Sequence, residues 1–267
     1  MSQAYRIGAG MRVDRASQYG EGGRWPADAL TVPVDGLRSL TKLMKVENMT
    51  KDRLARETAI EESRKRFGIE VILFERDFGI NSYLNRAPEL KNPEQLSGAR
   101  ILVNRYHLLD LLPKEGRVVE VGVDRGHFSR RILDSAKPDS LTLIDIDLSR
   151  MTDENREFLS RNPSVEIIEG DSAKTLKSLK GKFDWVYIDA HHGYDFVKRD
   201  IEAIYKKIKL DGYLIFNDYT MWSPANMMNY GVMRAVNEFL NDNQNWVVTH
   251  LALQGAGYHD LAIQRRA

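Results

Sequence analysis

The run Val118-Val119-Glu120-Val121-Gly122-Val123-Asp124-Arg125-Gly126 constrains the fold of this chain more than any other. Near-continuous β-branched residues suit a strand buried on both faces. Gly122 and Gly126 then let the backbone bend sharply and approach a ligand where a Cβ would collide. Phe128 and Ile132 follow one helical turn apart, so the segment reads as strand, glycine turn and helix. The unpaired N–H groups of such a helix start would face a bound, nucleotide-like cofactor. An ordinary strand-to-helix turn has the same local form, so the other strand ends must decide its meaning.

Composition narrows the partners. The 267 residues suit one large α/β domain with an extension, or two small domains. With 39 basic and 38 acidic side chains the net charge is +1, so no overall field favours nucleic acid or an anionic membrane, and a small molecule is the expected partner. No cysteine is present, which excludes disulfides, thiolate catalysis and Cys-ligated metals. The N-terminus lacks a basic-then-apolar signal pattern, and no run approaches the ~18 apolar residues of a membrane span, so a soluble, cytoplasmic protein is expected.

Residues 1 to about 48 carry six glycines and two prolines with little periodicity, and irregular structure is expected there. Such an arm suits a homodimer contact. Thr50 could cap a helix running to about Phe67, with Asp52/Arg56, Glu61/Lys65 and Glu62/Arg66 at i,i+4 spacing and a thin apolar stripe of Leu54, Ala55 and Ile60. Residues 1–96 are therefore read as an extension and 97–267 as the functional domain. From Ser97 onward strands and helices alternate, the mark of βαβ units and a parallel sheet. Strands are predicted at about 117–123, 141–146, 165–170, 183–189 and 213–218. Phe196, Val197, Ile201, Ile204, Tyr205 and Ile208 share a helical face that Gly212 would terminate, and Val232, Ala235, Val236, Phe239 and Leu240 mark a last helix. Trp246–Leu253 and Tyr258–Gln264 are joined by Gln254-Gly255-Ala256-Gly257, too short for a parallel crossover, so the sheet ends in an antiparallel hairpin. The fold class is α/β.

In an open parallel sheet, ligands bind beyond the carboxyl ends of the strands. Here those ends are acidic: Asp145 and Asp147 after the second strand, Gly170-Asp171-Ser172 after the third, Asp189 after the fourth and Asn217-Asp218 after the fifth. Asp145 stands 19 residues after Gly126, where a carboxylate can accept both hydroxyl hydrogen bonds of a ribose. Asp147 shares its sheet face, or caps the turn near Arg150. Asp171 and Ser172 would contact an adenine amino group or cap the helix beginning near Ala173. The glycine spacing is G-x-x-x-G and not the G-x-G-x-x-G of dinucleotide binders, which fits a sulfonium cofactor that has no pyrophosphate to cradle.

Val118-Val119-Glu120-Val121-Gly122, Leu143-Ile144-Asp145-Ile146-Asp147, Glu169-Gly170-Asp171 and Asp184-Trp185-Val186-Tyr187-Ile188-Asp189 together resemble the successive motifs of class I S-adenosylmethionine-dependent methyltransferases, over about residues 97–265. The resemblance implies a Rossmann-like sheet of seven strands whose last strand inserts antiparallel, with helices on both faces. It implies S-adenosyl-L-methionine as cofactor, held by Glu120, Gly122, Gly126, Asp145, Asp171, Ser172 and Asp189.

A narrower resemblance lies in Ile188-Asp189-Ala190-His191-His192-Gly193-Tyr194 and Gly212-Tyr213-Leu214-Ile215-Phe216-Asn217-Asp218-Tyr219, which look like the metal-assisted small-molecule O-methyltransferases of catechol and antibiotic-sugar type. Carried over, Asp189, Asn217 and Asp218 would bind a divalent cation. Two carboxylates and an amide oxygen make a hard oxygen set, and Mg2+ is the natural occupant. His192 stands where catechol-type relatives place a lysine base. Its ordinary pKa lets it take a hydroxyl proton near neutrality, with His191 as the competing base. Tyr219, Trp222, Met227, Met228 and Tyr230 form a loop suited to an acceptor or to core packing. Two other readings stand beside methyl transfer to a small-molecule hydroxyl. One is an iron-dependent hydroxylase using His191, His192 and a carboxylate; the other is a cofactor-binding domain without catalysis.

Overall fold

The computed structural model describes residues 40–267 apart from 81, 84 and 85; of the irregular stretch expected over residues 1 to about 48, the part before residue 40 lies outside the described residues, and 40–48 is helical instead. The chain divides into two compact units, 1–68 and 69–267, and the helix α1 (Leu40–Phe78) runs across the division. Its 39 residues extend well beyond the expected span on both sides, and Thr50 lies in its interior and does not cap it. The sequence explains the length, because no proline and only Gly68 interrupts it. Pairs at i,i+4 spacing line it, among them Arg56–Asp52 at 3.0 Å and Arg53–Glu57 at 2.9 Å.

The second unit is an α/β sandwich. Its elements are β1 (Arg100–Leu102), α2 (Arg105–Leu111), β2 (Arg117–Val121), α3 (His127–Ala136), β3 (Ser140–Asp145), α4 (Asp153–Ser160), β4 (Val165–Glu169), α5 (Ser172–Ser178), β5 (Phe183–Ile188), α6 (Tyr194–Ile204), β6 (Ile208–Phe216), β7 (Trp222–Ser223), β8 (Met228–Asn229), α7 (Val232–Asp242), β9 (Trp246–Leu253) and β10 (His259–Arg265). The main sheet runs β1-β9-β10-β6-β5-β2-β3-β4, and β7 and β8 form a separate small ribbon. Within the main sheet β10 alone is antiparallel to its neighbours, β9 and β6, as the short linker required. The seven expected strands are all present. The eighth, β1, adds at the edge parallel to β9, with Ile101 opposite Leu251. Three residues carry too little pattern to be read as a strand in advance.

Alternation along β2 divides the core. Val119 and Val121 face a cluster with Leu176 of α5, Ile201 of α6 and Val236 of α7. Val118 faces the opposite cluster, with Leu109 of α2, Ile132 of α3 and Leu159 of α4. Glu120 is next on that second face, in register with Tyr187 of β5, which puts a carboxyl where the pattern wants an apolar side chain. Gly212 does not stop a helix. The helix α6 ends at Ile204, one further turn covers Tyr205–Lys207, and Gly212 lies inside β6, whose pairing with β5 shifts register between Phe183 and Trp185.

The segment leading into β1 is stitched along α7 by amides. Asn237 and Asn241 donate to the carbonyls of Pro88 and Glu89, at 2.7 and 3.0 Å, and buried Gln95 donates to those of Leu240 and Trp246, at 2.9 and 2.8 Å. Asn237 and Asn241 sit four apart on one helix face, so backbone groups outside any ladder still find partners.

Candidate active site

Parallel strands β3, β2, β5 and β6 stand side by side in that order, so their carboxyl ends form one rim. The glycine turn lies at its middle. Gly122 has φ of +88° and its N–H donates to the Ile144 carbonyl at 2.8 Å. A Cβ there would lie 2.1 Å from the Asp189 carbonyl oxygen, so only glycine lets β2 and β5 leave the sheet this close together. Gly126 caps α3 in the left-handed region, at φ +83°.

Asp145 shapes that turn. Its Oδ2 accepts the N–H groups of Val123 and Asp124 at 2.7 and 3.0 Å, and its Oδ1 accepts that of Asp147 at 3.0 Å. Three of roughly four acceptor positions are thereby taken. Asp147 is exposed and accepts from Ser149 N–H at 3.0 Å. At the end of β4 the capping alternative is the arrangement seen. Asp171 accepts from Lys174 N–H at 2.9 Å, an interaction that holds its carboxyl below the ordinary range together with Arg199. The Ser172 hydroxyl turns to Asp200 Oδ1 at 2.6 Å.

The ends of β5 and β6 bring the second set together. Nε2 of His192 lies 3.5 Å from Asp189 Oδ1, 3.5 Å from Asp218 Oδ2 and 3.4 Å from Asn217 Oδ1. Its ring stacks on Tyr230 with centroids 4.5 Å apart and planes 9° from parallel. Burial acts to lower the His192 pKa, but hydrogen bonding to Asp189 and the charges of Asp189 and Asp218 outweigh it and raise it. Asp218, in the left-handed region at φ +52°, is pushed up to about 6, chiefly by burial and then by the charge of Asp189.

His191 faces elsewhere. It is exposed, stacks on Phe196 at 4.0 Å, and its Nδ1 accepts the Gly193 N–H at 2.9 Å. Of the two imidazoles, His192 is the one that stands among the strand-end oxygens. The two side chains thus have different surroundings, His192 the acidic trio and His191 the Phe196 ring.

Of the aromatic loop, Tyr230 is buried against His192, the Tyr219 hydroxyl donates to Asn237 Oδ1 at 2.5 Å, and Met227 and Met228 are exposed. Among the described residues no three His, Cys, Asp or Glu side chains cluster as a metal site. The expected cation set therefore depends on the amide oxygen of Asn217.

Behind the trio lies a polar network with no motif of its own. Asp260 of β10 is fully buried; its Oδ2 accepts the Tyr187 hydroxyl at 2.5 Å and its Oδ1 the Asn217 amide at 3.0 Å. That contact fixes the Asn217 side chain with its oxygen toward His192. Gln254 donates to Asp260 Oδ1 and accepts Arg105 Nη2 at 2.9 Å. Arg105, at the start of α2, also places Nη1 3.7 Å from Asp189 Oδ2 and its guanidinium 5.3 Å over the Phe128 ring. Burial alone would lower its pKa, but the surrounding acids raise it, so it is a fixed cation. Glu120 is buried beside the Ser129 hydroxyl, with Oε2 unpartnered, and burial foremost pushes its carboxyl up to about 8. Only the strand break before α2 and the unpaired acid at 120 could have signalled this network in the sequence.

Residues 119–219, from β2 to just past β6, match the family model described as a methyltransferase domain. The chain is 37% identical over 71 residues to uncharacterized protein R132 of Acanthamoeba polyphaga mimivirus, a stretch covering 26% of this chain and 29% of that protein's length. Among solved structures it resembles a protein described as an rRNA methylase from Clostridium thermocellum, at 11% identity with a TM-score of 0.50 over 61% of this chain and 94% of that one. It also resembles the O-methyltransferase TomG from Streptomyces achromogenes, solved in complex with S-adenosylmethionine, at 17% identity with a TM-score of 0.49 over 61% and 80% of the two chains. No described helix is long and apolar enough to cross a membrane. Residues 119–219 thus match a methyltransferase domain, carried on a Rossmann-like α/β sheet in which β10 runs antiparallel between β9 and β6.

Proposed function

We propose that the enzyme transfers the methyl group of S-adenosylmethionine to a hydroxyl of a small molecule, with His192 as general base. One observation carries this reading: His192 Nε2 stands among Asp189, Asn217 and Asp218 at the rim, beside the glycine turn. A proton-accepting nitrogen held by a ring stack is what a hydroxyl nucleophile needs, because it must give up its proton as it attacks. In the step itself the acceptor oxygen forms a bond to the methyl carbon while the carbon–sulfur bond breaks. The sulfonium becomes a neutral thioether, and the hydroxyl proton passes to Nε2. Holding nucleophile and methyl in line can supply several kcal/mol of the barrier, up to roughly 7–11 in favourable models.

The donor set fits a hard divalent cation, with Asp189, Asn217 and Asp218 as its residues and the Asp260 contact fixing the amide. Bound there, Mg2+ would lower the pKa of the acceptor hydroxyl and orient it. Asp218 and Asp189 otherwise repel each other across the site, and His192 and Arg105 partly offset that repulsion.

The deciding experiment incubates the full chain with labelled S-adenosylmethionine and a panel of phenols, catechols and sugar-like alcohols, with and without Mg2+. A single added methyl on oxygen, located by mass spectrometry and NMR, is the expected product. Transfer only to amines would overturn the hydroxyl assignment, and cofactor binding without turnover on any acceptor would favour a non-catalytic domain.

A further inference from the structure

The helix α1 carries its apolar side chains in the open. Every residue from Met49 to Arg66 is exposed, and Met49, Ile60 and Phe78 keep 66%, 53% and 70% of their surface accessible. A helix in water gains most of its stability by covering an apolar face against another element. Large apolar groups repeated along one exposed helix therefore mark an interface.

Their spacing identifies the partner. Met49, Ile60, Phe67 and Phe78 follow one another at intervals of 11, 7 and 11 residues, each close to a whole number of helical turns, so the four share one stripe. Val71 and Phe74 lie on it as well. The intervals read the same from either end. A second α1 laid antiparallel on the first brings Met49 opposite Phe78 and Ile60 opposite Phe67. It also sets Arg53 and Arg56 opposite Phe74 and Val71, where their methylene stems can cover apolar surface and a guanidinium can lie over the Phe74 ring. Parallel copies in register would stack Arg53 on Arg53 and Arg56 on Arg56.

Charge follows the same symmetry. Lys51, Arg53 and Arg56 outnumber Asp52 at one end of the stripe, and Glu70, Glu75 and Asp77 outnumber Arg76 at the other. Antiparallel copies set basic end against acidic end twice, whereas parallel copies would set like against like.

We propose that α1 is a dimer interface and pairs antiparallel with α1 of a second copy of this chain over residues 49–78, about 45 Å of helix. The register is centred between Ser63 and Arg64. The proposal does not rest on the methyltransferase reading.

Sedimentation equilibrium of the full chain is the first test, with a dimer of micromolar Kd or tighter expected; a chain still monomeric at ~100 μM would overturn the proposal. Orientation is tested by cross-linking. The chain has no cysteine, so each introduced thiol stands alone. Oxidising a mixture of Met49→Cys and Phe78→Cys chains should give the mixed disulfide, identified by peptide mass, and neither chain alone should cross-link. Linkage of Met49→Cys to itself, or no linkage in the mixture, would overturn antiparallel pairing.

Two sets of variants at exposed positions complete the test. Met49→Glu with Ile60→Glu should weaken the dimer by ~100-fold or more. Reversing Lys51, Arg53 and Arg56 to Glu should weaken self-association, as should reversing Glu70, Glu75 and Asp77 to Lys, and mixing the two reversed chains should restore a dimer. A dimer indifferent to all of these would lie elsewhere on the molecule and overturn the assignment.

Discussion

His192 and Tyr230 lie ring on ring, 4.5 Å between centroids, and the backbone reinforces the stack: the Gly231 N–H donates to the His192 carbonyl at 2.7 Å. The loop after β5 and the end of the β7–β8 ribbon are thereby locked together, and Nε2 has one direction to point. A base with fixed aim is worth more than one with the right pKa alone.

His192→Asn is expected to lower kcat by about 10²–10⁴-fold while leaving the Kd for S-adenosylhomocysteine within about 3-fold. His191→Asn, whose ring stacks on Phe196 outside the trio, should change kcat by less than about 3-fold. Steady-state kinetics on the acceptor found in the panel checks both, and equal effects of the two variants would remove His192 from its role.

Chelation probes the oxygen set. Turnover in excess EDTA should fall at least ~10-fold and return with Mg2+, and Asp218→Asn should lower activity by a comparable factor and blunt the return. Full activity in EDTA for both wild type and Asp218→Asn would show that the trio serves only to hold His192.

Gly122→Ala should cost roughly 2–4 kcal/mol, since it combines a left-handed φ of +88° with a methyl 2.1 Å from the Asp189 carbonyl. Denaturant melts of the variant measure it. An unchanged midpoint would mean that β2 and β5 can part at the rim.

Glu120 gives the stability a pH signature. Its folded pKa, near 8, exceeds the usual 4.5, so the folded state holds a proton that the unfolded chain gives up. Stability therefore falls as pH rises from about 4.5 to 8, by up to ~1.4 kcal/mol per unit for this group. Glu120→Gln, which is neutral throughout, should flatten that slope and melt higher than wild type at pH 8.5. A parallel pH profile for both proteins would contradict it.

The residues themselves show why some of this was readable in the sequence. Val118 to Gly126 announced itself because a buried strand and a turn with φ beyond +80° leave few residue choices. The acids at strand ends followed from topology. Which way Asp145, Ser172 or His191 turns did not, because each choice depends on a partner far along the chain or on a local N–H group: Val123 for Asp145, Asp200 for Ser172, Gly193 for His191. The start of α1 at Leu40 was missed because glycine-rich sequence just before it concealed a segment free of breakers. Arg105 was invisible for another reason: its meaning lies in Gln254 and Asp189, and no local pattern encodes either contact.

The pairing of β1 with β9 sets an order on assembly. Arg100 meets His250, and Arg105 meets Gln254 across 149 residues of sequence. On the ribosome the glycine turn, Asp145 and Asp189 can all be in place while this edge is still open, because its partner strands have yet to be made. A truncated chain lacking β9 and β10 would carry the glycine turn, Asp145 and Asp189 and still have no Asp260 to hold the Asn217 amide.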